Sequence, residues 1–424
     1  MLIVLFVSFF ILLLLKVPVS FSLFFSSVAA VIYGGYPTTV VIQRAITSVD
    51  SFTLLAVPFF MVAGAFMAGG SISNKLMAFA GSSVGWIKGG LAQVNVVTSM
   101  IFAGITGSAV ADTSSEGSII IPIMKKEGYS SDFSAAITAS SSVIGVIIPP
   151  SVPFVIYGVC SGVSIGKLFL GGIIPGILIG LSQMAISYYY AKKYNYGKDR
   201  KFSITEILKS LKGGFFALIM PVIIIGGVLT GVVTATEAAV VSILYALFIG
   251  IFIYKDLEVK KIPSMLLDAS KTAGVVMMMI AGSSLYGWII ASEQLPKKIA
   301  GVISQATDSA TVVMLLFVIV YLIAGMFLDV GAAIILITPI LLPVATQFGI
   351  DPLIFGIVTI MTLAVGLITP PVGACLFIAS SIADIPMLQT AKKCIPFIVG
   401  IVFIIVVLIF FPQIALFIPN MMIS

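Results

Sequence analysis

Helix-breaking residues recur along this chain at one fixed spacing. Pro122 pairs with Pro343, Gly128 with Gly349, Gly145 with Gly366, Pro149-Pro150 with Pro370-Pro371, and Pro175 with Pro396, each 221 positions apart. Ala103-Gly104 meets Ala324-Gly325 under the same shift, and no gap is needed anywhere. Glycine and proline are the residues least suited to helix interiors. Their shared spacing through apolar sequence therefore predicts two copies of one irregular, broken-helix backbone.

The apolar content decides the solvent of that backbone. Hydrophobic residues are 60% of the chain and charged residues 9%, against roughly 25% charged in soluble domains. At about 20 residues per spanning helix, the apolar runs predict an all-α polytopic membrane protein with about eleven transmembrane helices plus two re-entrant hairpins. The run 1–15 lacks a basic start and is followed by Lys16, so it reads as the first span rather than a signal peptide.

The net charge of +6 follows the positive-inside pattern, with basic residues in short loops. Lys192, Lys193, Lys198, Arg200, Lys201, Lys209 and Lys212 form one group; Lys255, Lys260 and Lys261 form the next. Residues 213–252 between them fit two spans with a turn near 234–237, which places both groups on the cytoplasmic face. Counting outward puts the N-terminus outside and starts the second copy inside, so the copies are expected to be inverted. Residues 190–212 are expected to lie as a basic amphipathic element on the cytoplasmic surface.

Several chemistries are excluded or disfavoured. There is no histidine, which removes Ser/His and Cys/His nucleophile systems and a histidine proton relay. No GxxxxGK[ST] loop is present, so ATP hydrolysis is not expected. Cys160, Cys375 and Cys394 show no metal spacing and read as small buried hydrophobes. The chain is not expected to be an enzyme, and energy would come from an ion gradient.

Polar chemistry concentrates in two blocks. Residues 91–124 are an apolar stretch with a polar, glycine-rich centre from Phe102 to Ser118, including Thr106, Ser108, Asp112 and Glu116. Thirty-four residues suit two half-helices meeting at a tip better than a full pair of spans. The repeat mate contains Ala324-Gly325, Asp329 and Gly331, with Asp329 equivalent to Ser108. A carboxylate in the bilayer interior is costly and marks function by default; capping a half-helix is the blander role, and the two are compatible. Asp112 is expected to face the site, and Glu116 to cap or to face a wet surface.

Each hairpin is followed by a helix broken at a double proline, Pro149-Pro150-Ser151 and Thr369-Pro370-Pro371. Proline frees carbonyl oxygens one turn back. Such oxygens beside hydroxyls make a cage suited to Na⁺, whereas half-helix N-termini favour an anion's carboxylate.

The blocks GSAVAD, IIIPIMKKEGY, GVIIPPSVPFVIYG, FLDVGAAIILITPILLPVA, FGIDPLIFGIV and GLITPPVGACLF resemble the large membrane subunit of tripartite ATP-independent periplasmic (TRAP) transporters over essentially the whole chain. That resemblance implies a sodium-driven importer of small organic anions in the inner membrane, with an elevator mechanism in the ion-transporter fold. It also implies two partners, an extracytoplasmic substrate-binding protein and a small four-helix membrane subunit carried as a separate chain. Carried over by residue, one sodium site would hold Thr106, Ser108 and Asp112 near Gly145 and Pro149. The second would hold Gly325 and Asp329, closed by Gly366 and Thr369. Substrate would touch Thr106, Ser108, Pro150 and Ser151. Neither tip contains Lys or Arg, and Thr106, Ser108, Thr113, Ser114 and Ser115 suit a hydroxyl-rich acid such as sialic acid; a C4-dicarboxylate stays open.

The expected organisation is scaffold helices over 1–52, then a transport region over 53–190 with a hairpin at about 88–125 and a broken helix at about 133–158. A cytoplasmic linker and scaffold helices follow over 191–262. The second copy occupies 263–424, with a hairpin at about 310–347 and a broken helix at about 352–378. The rival reading is a carrier coupled to sodium or protons that needs no binding protein.

Overall fold

The computed structural model describes residues 1–68, 72–197 and 201–422; Lys198 and Arg200 of the basic group lie outside them. No strand occurs among the described residues. The first copy comprises α1 (Leu2–Leu14), α2 (Val19–Tyr33), α3 (Thr39–Val49), α4 (Ala56–Ala68), α5 (Ile72–Val84), α6 (Gly90–Thr106), α7 (Ala109–Lys126), α8 (Ser131–Ser142), α9 (Val152–Ser161) and α10 (Ile165–Tyr194). The second comprises α11 (Ile204–Leu229), α12 (Ala235–Phe248), α13 (Ile262–Ser292), α14 (Leu295–Ser304), α15 (Ala310–Phe327), α16 (Val330–Gln347), α17 (Pro352–Gly366), α18 (Ala374–Ala383), α19 (Met387–Phe410) and α20 (Gln413–Met422).

The 221-residue shift carries α7 onto α16 at both ends, and the reason is local. Gly128 and Gly349 both have positive φ, +87° and +75°. Each closes its helix with the paired bonds of a Schellman motif. Tyr129 N donates to Met124 O at 3.0 Å, and Ile350 N donates to Ala345 O at 3.0 Å. Both double prolines contain a cis Pro–Pro bond. The repeat in sequence is a repeat in backbone.

The copies also interlock. α18 packs on α7, and reciprocally α9 packs on α16. Lys125 Nζ donates to Ala383 O at 2.8 Å, while Tyr157 Oη donates to Pro352 O at 2.6 Å. Contacts exchanged in both directions are the signature of a two-fold relation. Both hairpins therefore share one core, which holds Ile105, Ile120, Val330, Ile334 and Phe355. A separate, smaller core joins α1 and α2 to the end of α13 through Leu5, Leu23, Tyr286 and Ile290.

Seven helices among the described residues are long and apolar enough to cross a membrane singly, or eight if the bent pair Thr39–Val49 and Phe52–Met67 is one span. The expected count of about eleven draws further on apolar helices of 10–17 residues such as α1, α2 and α17. Among the described residues, the basic stretch 190–212 is divided between the ends of two helices. Lys192 and Lys193 end α10, whereas Lys209 and Lys212 lie within α11, because the apolar runs on either side extend as helix up to the loop. The expected turn at 234–237 is a capping box, with Thr234 Oγ1 accepting from Glu237 N at 3.3 Å.

Candidate functional site

A cavity of about 640 Å³ lies where the two hairpin tips meet. Thr106–Ala111 of the first tip and Asp329–Gly331 of the second line it. Val152 and Pro153 at the start of α9 complete that side, and Met61, Gly64, Asp268 and Thr272 of α4 and α13 face them. Three helix N-termini (α7, α9 and α16) thus converge on one space, and their dipoles favour an anion there. No Lys or Arg lines it among the described residues. A larger cavity of about 830 Å³ near Gly162, Leu229 and Thr234 has no charged lining residue among the described residues.

At the first tip, Gly107 turns the chain with φ +64°, and a Cβ there would sit 2.7 Å from the Pro150 carbonyl oxygen. The tip is thereby pressed onto the double proline. Pro149 lies just behind, its carbonyl 3.7 Å from a Cβ built at Gly104. Ser108 takes an extended backbone and caps α7, its Oγ accepting from Ala111 N at 3.4 Å. Asp112, in the first turn of α7, is fully buried. Its Oδ1 accepts the Thr106 hydroxyl at 2.5 Å, and its Oδ2 has no hydrogen-bond partner.

Gly145 explains how that oxygen fits. A Cβ at Gly145 would overlap Asp112 Oδ2, so only glycine lets the broken helix approach it. An unmet carboxylate oxygen in the membrane interior costs several kcal/mol, and a cation bound there would remove that cost. A carboxylate beside a hydroxyl and freed carbonyls is a hard-oxygen set, which suits an alkali cation. Thr106, Asp112, Gly145 and Pro149 come together at this tip, and Ser108 stands on its cavity side.

The second tip is built differently. Asp329 caps α16, its Oδ2 accepting from Gly331 N at 3.0 Å, and it lines the cavity. Gly325 and Gly366 meet backbone to backbone: a Cβ at Gly366 would collide with the Gly325 main chain. Thr369 Oγ1 donates to Val365 O at 2.7 Å within its own broken helix. No hydrogen bond joins Asp329 to Thr369 among the described residues.

Three side chains singled out in the sequence stand away from the cavity lining. Ser151 is fully buried, its Oγ donating to Val146 O at 2.6 Å and accepting from Phe154 N at 3.3 Å. It caps α9 with both hydrogen-bonding roles used and does not line the cavity. Pro150 is buried against Gly107 rather than lining the cavity. Glu116 neither caps nor meets water: it is 1% exposed, with Oε2 2.7 Å from Ser99 Oγ and Oε1 unpartnered.

Glu116 opens onto a buried polar vein that sequence reasoning missed. Ser99 Oγ lies 2.9 Å from Ser141 Oγ, and Ser141 Oγ lies 3.0 Å from Asn95 Oδ1. Asn95 Nδ2 donates to Thr138 Oγ1 at 2.6 Å. The available signal was the helical spacing of Asn95 with Ser99 and of Ser134, Thr138 and Ser141 inside apolar arms.

Comparison with known proteins gives the family. A family model described as "Tripartite ATP-independent periplasmic transporter, DctM component" matches residues 6–414. The chain is 41% identical to the sialic acid TRAP transporter large permease protein SiaM of Vibrio cholerae, covering 95% of each chain. It is 39% identical to the isethionate TRAP transporter permease protein DctMQ of Oleidesulfovibrio alaskensis, covering 98% of this chain and 66% of that one. Identity to the C4-dicarboxylate TRAP transporter large permease protein DctM of Pseudomonas aeruginosa is 36%, over 88% of this chain and 87% of that one. Among solved structures, the YdaH transporter of Alcanivorax borkumensis superposes with a TM-score of 0.64 at 12% identity, covering 88% and 86% of the two chains; that likeness is one of fold.

Proposed function

The chain belongs to the DctM component family of tripartite ATP-independent periplasmic transporters, and from that premise we propose a sodium-coupled symporter whose substrate sits between the two hairpin tips. The family consists of multi-pass transport permeases for organic acids, and the chain is not an enzyme. The observation that carries the sodium reading is Asp112 Oδ2, a buried acceptor with no partner beside a cavity into which three helix N-termini point.

On this reading one sodium ion binds at Thr106 and Asp112 under Gly145, and a second at Asp329 near Gly325, Gly366 and Thr369. The substrate carboxylate is held by Ser108, by helix dipoles and by the ions, since no basic side chain lines the cavity. Sialic acid is the substrate we favour; the hydroxyl-rich first tip and the identity to the Vibrio cholerae permease support it. The separate core of α1 and α2 with α13 supports a static scaffold over 1–52, against which a bundle carrying both hairpins moves as an elevator. An extracytoplasmic binding protein delivers the substrate and a small membrane subunit braces the scaffold in the inner membrane, with the N-terminus outside. The test is uptake of labelled sialic acid into vesicles holding both subunits, with the binding protein outside. Uptake driven by an inward sodium gradient and absent with potassium supports the proposal; equal uptake under both refutes it.

A further inference from the structure

The vein behind the first tip contains more oxygen contacts than protons to fill them. From Glu116 Oε2 it runs through Ser99 Oγ (2.7 Å), Ser141 Oγ (2.9 Å), the Asn95 amide (3.0 Å), Thr138 Oγ1 (2.6 Å) and the Ser134 carbonyl (2.9 Å). Each hydroxyl supplies one proton, and the amide can donate on only one side of the chain whichever way it is turned. Four protons are therefore available for five contacts. Without a fifth, two lone pairs would face each other at hydrogen-bonding distance in a dry interior.

Charge points the same way. Asp112 and Glu116 lie one helical turn apart, both fully enclosed, and neither has an ion-pair partner among the described residues. The helices packed on α7 (α6, α8 and α18) carry only Asp132 and Cys375 as titratable side chains. Asp132 is engaged elsewhere with Lys393 at 3.6 Å. A single cation at Asp112 would answer one negative charge and leave a charged Glu116 uncompensated in the membrane interior. An unmet neutral carbonyl at Glu116 Oε1 costs far less than an unmet charge.

We propose that Glu116 is held as a neutral carboxylic acid that donates from Oε2 to Ser99. It heads a one-way hydrogen-bond chain through Ser141, Asn95 and Thr138 to the Ser134 carbonyl. Its role is positioning: it ties α7 to α6 and α8 and leaves Asp112 as the sole negative charge of the first hairpin. That consequence rests on the sodium reading above and fixes the first site at one monovalent cation. The sequence Asn95–Ser99 on one arm and Ser134–Thr138–Ser141 on the next is then a matched acceptor track for a single proton.

Infrared spectroscopy of the purified protein and sodium-dependent uptake by the reconstituted complex test this together. The unaltered protein should show a protonated-carboxyl C=O band that Glu116→Gln lacks. Because Gln also donates to Ser99 while staying neutral, Glu116→Gln should keep the sodium half-saturation within about twofold, whereas Glu116→Ala or Ser99→Ala should cut uptake by about tenfold or more. Absence of the band, or a rise of about tenfold in sodium half-saturation in Glu116→Gln, would overturn the proposal by making Glu116 a charged ion ligand. Sodium-independent uptake by the unaltered protein would instead remove the coupling reading and leave the infrared result standing.

Discussion

The two hairpins share a backbone and differ in where they keep their acid. In the first copy the cap is Ser108 and the carboxylate, Asp112, is one turn deeper and sealed from solvent. In the second copy the carboxylate is itself the cap, because Asp329 stands at the position of Ser108 and reaches the cavity. On the proposed reading the buried acid with an unmet oxygen is answered by a cation, while the capping acid is already hydrogen-bonded. Duplication thus supplied two equivalent tips, and side-chain divergence gave them unlike electrostatics.

Removing each acid should widen that difference most. Asp112→Ala is expected to lower sodium-driven uptake by about 100-fold or more, because a carboxylate in the membrane interior is otherwise unexplained. Asp329→Asn keeps a good N-cap and loses only the charge, so it should raise the sodium half-saturation by about tenfold with little change in thermal stability. Equal defects in both variants, measured as uptake against sodium concentration, would erase the contrast.

The two close-approach glycines come next. Gly366→Ala forces two main chains apart and should destabilise the detergent-solubilised protein by several kcal/mol. Gly145→Ala displaces only a side-chain oxygen, so its main effect should be weaker sodium dependence, with a stability loss of about 1–3 kcal/mol. Thermal unfolding with and without sodium separates them: sodium should stabilise the unaltered protein strongly and Gly145→Ala weakly.

The smallest effect is predicted for Ser151→Ala. It removes the α9 cap at a cost of about 1 kcal/mol and leaves the substrate concentration for half-maximal uptake unchanged. Ser108→Ala, on the cavity side, should raise that concentration instead.

The placement of breaks was legible in the sequence because Gly and Pro act on the backbone directly. Gly128 and Gly349 terminate α7 and α16 through their positive φ, and that requirement survives any change of neighbours. Asp112 was legible because a membrane acid needs a partner. Glu116 was not: spacing along α7 says which residues share a face, but only the packing of α6 and α8 says whether that face is wet. Ser151 is ambiguous for a related reason, since a serine after a double proline serves equally to cap or to bind, and α9 starts at the next residue. The far wall of the cavity, Asp268 and Thr272 on α13, is more than 150 residues from the first tip and carries no local signal at all.

The central claim is that each hairpin tip holds its own sodium ion. Equilibrium binding of radioactive sodium to the purified protein, to Asp112→Ala and to Asp329→Ala tests it most directly. The account predicts one bound ion fewer in each single variant and none retained in the double variant. The same amount of bound sodium in all four proteins would contradict it.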